Sequence, residues 1–345
     1  MKKILIVLAS IIVLASCKNQ DINFPDFDYT TAYFPYQYPV RTLVLGDYIY
    51  DNTNDNNHKF IISAAFGGVY ANEKDRVLSI QPDESLCNRV LFSSTFTSLT
   101  DTIRVMPASY YSLSSTDQIV ISKGKFNGGI EVQLNDAFFD DPLSIKLGYV
   151  IPLRIVASAD IDSILRGKGV VDNPDPRIVA DWSVVPKDFT MFAVKYINPY
   201  EGKYFNRGVS VVKNLSGSII EETTYRTPFI EQNKIWQLKT TGRQQVSVQS
   251  GLNTTKIRGS LDMLLNFTEN GDCTIQEGAT SRFKITGTGK FVKNADTWGN
   301  QDRNAIYLDY QLTSGQYVYS AKDTLVIRDR GVVLETYTPK PITDN

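Results

Sequence analysis

Hydrophobic side chains recur at every second position through much of the C-terminal half of the chain. Leu261, Met263, Leu265 and Phe267 alternate with Asp262 and Asn266, and Asn270-Gly271 turns the chain. Cys273 and Ile275 then alternate with Asp272 and Thr274. Ile306, Leu308, Tyr310 and Leu312 repeat the period, as do Val246 and Val248. A period of two sends alternate side chains to opposite faces of a strand, and one polar face means an antiparallel sheet with a wet side. The N-terminal half is more broken. Lys59-Phe60-Ile61-Ile62-Ser63-Ala64-Ala65-Phe66 reads as a buried strand stopped by Gly67-Gly68. Residues 119–122 and 130–134 flank Asn127-Gly128-Gly129, which predicts a hairpin. Residues 148–156 read as a central strand interrupted by Pro152. Pro35 and Pro39 confine the segment 33–46 to an edge, a strand start or a bulge. One short helix is expected, with Ile161, Ile164 and Leu165 on one face and Gly167 as its cap.

These elements give an all-β chain of 345 residues, long enough for two domains. The Pro/Asp loop 172–176 and the restart of strand patterning at Phe189 place the boundary near residue 188. The expected division is 29–188 for a sandwich and 189–345 for an antiparallel barrel or sandwich.

The first residues have a different character. Lys2 and Lys3 precede an apolar run from Ile4 to Ala15, which ends in Leu14-Ala15-Ser16-Cys17. Charge, apolar stretch and small residues in that order are the layout of a secretory signal, and the run is too short to span a bilayer. With cysteine at the cut, the segment resembles a bacterial lipobox. That resemblance implies a signal peptide 1–16, an acylated Cys17 and a lipidated tether 17–28. Loss of Lys2 and Lys3 makes a chain of formal charge −1 more acidic. Without basic clusters it is a poor nucleic-acid binder. Cys87 and Cys273 fall in different expected domains and read as separate buried thiols, although an oxidising envelope would let them pair.

Candidate chemistry is sparse. His58, the single histidine, ends the polar tract 51–57 and reads as a solvated loop end. That tract leaves an oxygen-only calcium site as an alternative to a plain loop. Asp140-Asp141 and Glu221-Glu222 are adjacent pairs, whereas glycoside hydrolysis needs two carboxylates facing each other across the bond. Gly287-Thr288-Gly289-Lys290 lacks the distal glycine and the following Ser or Thr of a phosphate loop, and reads as a glycine-containing strand. No catalytic residue, metal site or cofactor is therefore expected. Trp182 reads as junction packing and Trp236 as a strand core position. Trp298 lies in a polar stretch, 294–303, where Asn300, Gln301, Asp302 and Arg303 could bond sugar hydroxyls around an indole platform. Local packing is the competing reading for Trp298.

The segments 33–76, 149–155 and 192–204 together resemble Bacteroidetes surface lipoproteins of polysaccharide utilisation loci. In those proteins an N-terminal immunoglobulin-like domain of unknown function precedes an all-β domain of unknown function. The resemblance implies an immunoglobulin-like sandwich followed by a second all-β domain, an antiparallel barrel or sandwich with a lipocalin-like form favoured. It also implies a non-catalytic accessory at the outer membrane, on the cell surface in preference to the periplasmic face. The partners it implies are membrane lipid through Cys17, an oligosaccharide, and the porin and lid lipoprotein of an uptake complex. The Asp-x-x-Asp-x-Asp-x-Glu string of the glycosidase modules that follow this kind of domain is absent; Asp160-Ile161-Asp162 lacks the distal Glu. A structural or adhesion protein is the second reading and a glycoside hydrolase the third.

Overall fold

The computed structural model describes residues 26–94 and 102–342. The signal segment and Cys17 lie outside the described residues. Two sheets face each other across the first core. The smaller has five strands in the order Ser163–Ile164, Thr31–Tyr33, Lys59–Gly67, Asn127–Leu134, Tyr111–Leu113. The larger runs Val90–Ser94, Glu335–Pro341, Pro39–Val44, Phe189–Ile197, Tyr149–Ala157, Arg76–Pro82, Gln118–Ile121, and Arg104–Val105 also pairs with Tyr149–Ala157. Phe60, Ile62, Phe66, Leu78, Ile80 and Ile151 are among the side chains that fill the space between them. A second apolar cluster, including Val90, Phe92, Phe189, Met191 and Tyr337, covers the other face of the larger sheet. Burial on both faces explains why residues 149–155 are apolar nearly without a break.

Pro152 sits in that central strand at little cost. Val150 accepts from Met106 on one edge, and Pro152 accepts from Asp83 on the same edge. Its missing N–H falls where the edge partner changes from Arg104–Val105 to Arg76–Pro82.

Three expectations for this half are corrected. The boundary at 188 cuts through the sandwich. Phe189–Ile197 is a central strand of the larger sheet, and Glu335–Pro341 returns from the far end of the chain to join it. The restart of patterning at Phe189 is thus the last buried strand before the barrel. The expected hairpin at 119–134 is a crossing between sheets, because Gln118–Ile121 belongs to the larger and Asn127–Leu134 to the smaller. Gly128 serves close approach there, since a Cβ would lie 2.1 Å from the Val120 carbonyl oxygen. The expected helix at 161–167 is extended chain, with Ser163–Ile164 pairing in parallel with Thr31–Ala32. Its apolar spacing reflects Ile161 reaching the core rather than a helical face.

Residues 202–329 form an eight-stranded antiparallel barrel. Its strands are Gly202–Asn214, Lys234–Gly242, Gln245–Gly251, Ser260–Phe267, Asp272–Glu277, Ile285–Trp298, Gln301–Ser314 and Tyr317–Asp329. Each pairs with the next, and the first closes on the last from Lys203 opposite Asp329 to Asn214 opposite Tyr317. A ninth strand, Ile219–Tyr225, flanks the outer part of the first. This bears out the all-β reading and selects a barrel for the second domain. The alternating residues named above point inward, together with Tyr204, Trp236 and Tyr319. Gly287 and Gly289 belong to a barrel strand, as expected; a Cβ on Gly287 would stand 2.6 Å from that of Tyr310. Inside the barrel Asp323 accepts from Tyr225 at 2.7 Å, from Asn206 at 2.9 Å and from Tyr310 at 2.9 Å. Burial pushes its carboxyl above the usual range in spite of these donors. Cys87 and Cys273 are free, buried thiols, one in each domain, and burial pushes both up to about 12.

Candidate functional site

Large aromatic side chains pack the barrel interior, so it is not the open cup of a small-molecule carrier. A large concavity lies outside it, where barrel and sandwich meet. This cleft has a volume of about 1060 Å³. One wall is the loop after Pro39–Val44, carrying Asp47, Tyr48 and Tyr50; the other is the hairpin of Ile285–Trp298 and Gln301–Ser314. The floor is the end of the last barrel strand and residues 330–333.

Arg330 fixes the two domains around the cleft. It is 8% exposed, and its guanidinium donates to the carbonyls of Leu45, Asp47, Asn198 and Glu201 at 2.7–3.0 Å. The first pair belongs to the sandwich loop and the second to the link between domains. Burial lowers the arginine's affinity for its proton, but a guanidinium stays charged at any ordinary pH. Asn198, fully buried in the same link, donates to Gly242 and Gln245 and accepts from the Tyr200 and Glu201 amides. Asp47 receives Lys293 at 2.9 Å and Asn304 at 3.0 Å from the barrel hairpin. Partial burial disfavours its charge, yet these donors outweigh it and hold the carboxyl below the usual range.

The stretch 294–303, expected to be a polar loop, is the tip of a long hairpin. Trp298 pairs with Gln301, and Gly299 and Asn300 between them both have positive φ. That is the backbone of a two-residue type I′ turn, which glycine and asparagine adopt readily. A bulge between Val292 and Asp296 bends the hairpin. Trp298 then lies edge-on to Phe205 at 5.4 Å, and its indole N–H donates to the Ile327 carbonyl at 2.9 Å. Phe205, Ala305 and Val326 point outward by register and are nonetheless buried, because the hairpin tip covers them. Arg303 stacks its guanidinium over the indole at 4.5 Å, and Arg207 pairs with Asp296 to hold the bend. Trp298 is therefore half-buried. Its packing role is real, and the same side chain lines the cleft.

Of the residues singled out from sequence, Trp298, Gln301, Asp302 and Arg303 line the cleft; Asn300 does not, being part of the turn itself. Tyr48, Tyr50, Lys203 and Lys293 line it without having been singled out. Only exposed apolar residues beside Gly46 could have pointed to the two tyrosines.

The remaining candidates have local roles. Asp140 binds Arg243, while Asp141 accepts from Tyr110 and Tyr149 and caps the turn at Leu143. Glu221 accepts from the loop residues Thr254 and Thr255. His58 is half-buried against Phe139, at 4.1 Å between ring centroids, rather than a solvated loop end, and burial lowers its pKa. In the tract 51–57, Asp55 pairs with Arg41 and accepts from the Val44 amide, and Asn52 donates to the Val44 and Gly46 carbonyls. Trp182 donates to the Asp175 carbonyl within the sandwich, and Trp236 is a core residue, 1% exposed.

Comparison with known proteins follows the two-part fold. The model of a family of N-terminal domains matches residues 27–162, and that of a domain of unknown function, DUF5627, matches residues 199–331. No curated protein matches the chain. A Bacteroides ovatus protein of unknown function is similar over 91% of this chain and 98% of its own, with 39% identity and a TM-score of 0.81. An auxiliary nutrient binding protein from Bacteroides thetaiotaomicron is 14% identical, over 84% of this chain and 90% of its own, with a TM-score of 0.40. A second Bacteroides ovatus protein of unknown function is 14% identical, over 87% and 93%, with a TM-score of 0.41. These two are too distant to bear on function. The first, with the two domain matches, shows that the chain belongs to the family of two-domain Bacteroides proteins that join this N-terminal domain to DUF5627.

Proposed function

We propose that the protein is a lipid-anchored accessory of the outer membrane that binds an oligosaccharide in the interdomain cleft and does not cleave it. The observation that carries this reading is the make-up of the cleft. Tyr48, Tyr50 and Trp298 supply flat apolar surface, and Asp47, Gln301, Asp302, Arg303 and Asn304 supply hydrogen-bonding groups around it. A rigid apolar surface with a few placed polar groups is what a ligand site requires, and aromatic faces suit the C–H faces of sugars. The cell surface is the proposed location, with a porin and lid lipoprotein as the proposed recipients of the glycan.

The test is affinity electrophoresis of the mature chain on a panel of polysaccharides, with product analysis alongside. Tyr50→Ala is the more telling variant, because Tyr50 is 68% exposed and its loss is expected to leave the fold intact. By analogy with stacking on bases, each lost platform should weaken binding by about 1–3 kcal/mol, roughly five- to 150-fold. Equal retention of wild type, Tyr50→Ala and Trp298→Ala would remove the cleft from consideration. Release of reducing ends by the wild type would make the protein a hydrolase.

The second reading, an adhesion or structural protein, rests on the apolar rim of the same cleft. Ile49 is 72% exposed and Val333 55%. Retention of no glycan at all would put a protein partner first.

The anchor is tested separately. Mass spectrometry of the mature N-terminus should find Cys17 acylated, and Cys17→Ala should leave the membrane fraction. A variant still wholly membrane-bound would refute lipidation.

A further inference from the structure

The charges of the cleft do not cancel. Lys293 pairs with Asp47 at 2.9 Å and Arg328 with Asp329 at 3.4 Å. Three more cations, Lys203, Arg303 and Arg330, line the cleft, and only Asp302 stands against them. Among the described residues neither Lys203 nor Arg303 has a carboxylate within ion-pair distance. Arg330 is surrounded by carbonyls alone. The cleft is thus a concentration of positive charge on a chain whose formal net charge is −1. A concave site walled by protein focuses such a field.

Arg303 is also prepared for one kind of ligand. Its ring-stacked guanidinium is held by Trp298, and its Nε lies 3.4 Å from the Trp298 carbonyl oxygen. The stack fixes the plane of the guanidinium, and among the described residues its terminal nitrogens have no hydrogen-bond acceptor. A planar fork held in place matches a carboxylate or sulfate through two parallel hydrogen bonds. Lys203, half-buried on the neighbouring wall, adds a point charge.

From this we infer that the cleft selects acidic oligosaccharides, with the sugar's carboxylate or sulfate on Arg303 and Lys203 and its ring among Tyr48, Tyr50 and Trp298. The inference rests on the glycan reading of the same cleft and narrows its ligand class.

Three groups of polymers decide it by affinity electrophoresis: uronate-bearing (polygalacturonate, alginate), sulfated (chondroitin sulfate, carrageenan) and neutral (fully methyl-esterified polygalacturonate, dextran, arabinoxylan). The expected result is retention by an acidic polymer and none by its methyl ester. Retention should fall steeply between low salt and about 0.5 M salt, where the screening length drops to a few ångströms. Arg303→Gln should weaken it by at least tenfold, Arg303→Lys by less, and Lys203→Gln independently of both. Thermal unfolding of each variant checks that the fold is kept, and Lys203→Gln leaves the Trp298 stack untouched. Retention confined to the uronates or to the sulfated polymers names the anion. Retention by neutral polymers that is insensitive to salt and to both substitutions would overturn the acidic ligand while leaving the glycan reading standing. Retention by none of the three groups would overturn both.

Discussion

Tyr337→Ala is expected to destabilise the N-terminal sandwich by about 3–5 kcal/mol, although it lies close to the C-terminus. Tyr337 is 3% exposed, packs edge-on to Phe92 at 4.8 Å and to Tyr38 at 5.7 Å, and donates to the Met191 carbonyl at 2.8 Å. Its strand, Glu335–Pro341, bridges Val90–Ser94 and Pro39–Val44. Truncation to alanine empties a ring-sized volume in the second cluster and leaves the Met191 carbonyl unpaired. Tyr337→Phe removes the hydroxyl alone and should cost about 1 kcal/mol. Urea unfolding followed by hydrogen exchange assigns the loss. Residues 189–197 should lose protection and barrel residues 260–267 should keep theirs. Equal loss in both regions would mean that the two domains unfold as one unit.

Arg330→Ala is expected to cost about 2–5 kcal/mol and to uncouple the domains. Four carbonyls lose a charged donor together, and the relief of no longer burying a cation offsets only part of that. Arg330→Lys should recover little, because an ammonium cannot reach four acceptors spread around a planar fork. Two resolved thermal transitions in the variant, in place of closer ones in the wild type, would carry the point. An unchanged unfolding curve would show that the link 198–201 holds the domains without the arginine.

The barrel was legible in the sequence for a simple reason. Away from the hairpin tip that covers Phe205, its strands have one face inside a closed, packed interior and one in water, so burial writes itself as alternation. Even Asp262, which by period faces outward from the core, is buried only because it accepts from Thr280 in an adjoining turn. The sandwich was less legible. Its central strands 149–157 and 189–197 are covered on both faces, so they carry no alternation to show which sheet they belong to. The boundary error at Phe189 follows directly, since a fully buried strand looks the same whichever domain owns it. Periodicity is also silent about pairing. Residues 118–121 and 127–134 have the signature of a hairpin, and only their pairing, with 76–79 in one sheet and 59–65 in the other, shows that the chain changes sheets. As to the site, an isolated tryptophan among polar residues did point to one wall. The opposite wall comes from a loop some 250 residues away, and proximity of that kind is not written in either segment.

The barrel is an insertion between two strands of the sandwich, Phe189–Ile197 and Glu335–Pro341, and this sets the order in which the chain can fold as it is made. Every barrel strand lies between residues 202 and 329, so the barrel can close before synthesis ends. The sandwich begins first and finishes last. Until Glu335–Pro341 arrives, Pro39–Val44 and Val90–Ser94 expose unpaired backbone along an edge, the feature that invites aggregation. A chain that stops short of Glu335 would therefore present a sealed barrel beside an open sheet. The protein's own topology thus makes Glu335–Pro341 a completeness check on a domain whose first strand is Thr31–Tyr33.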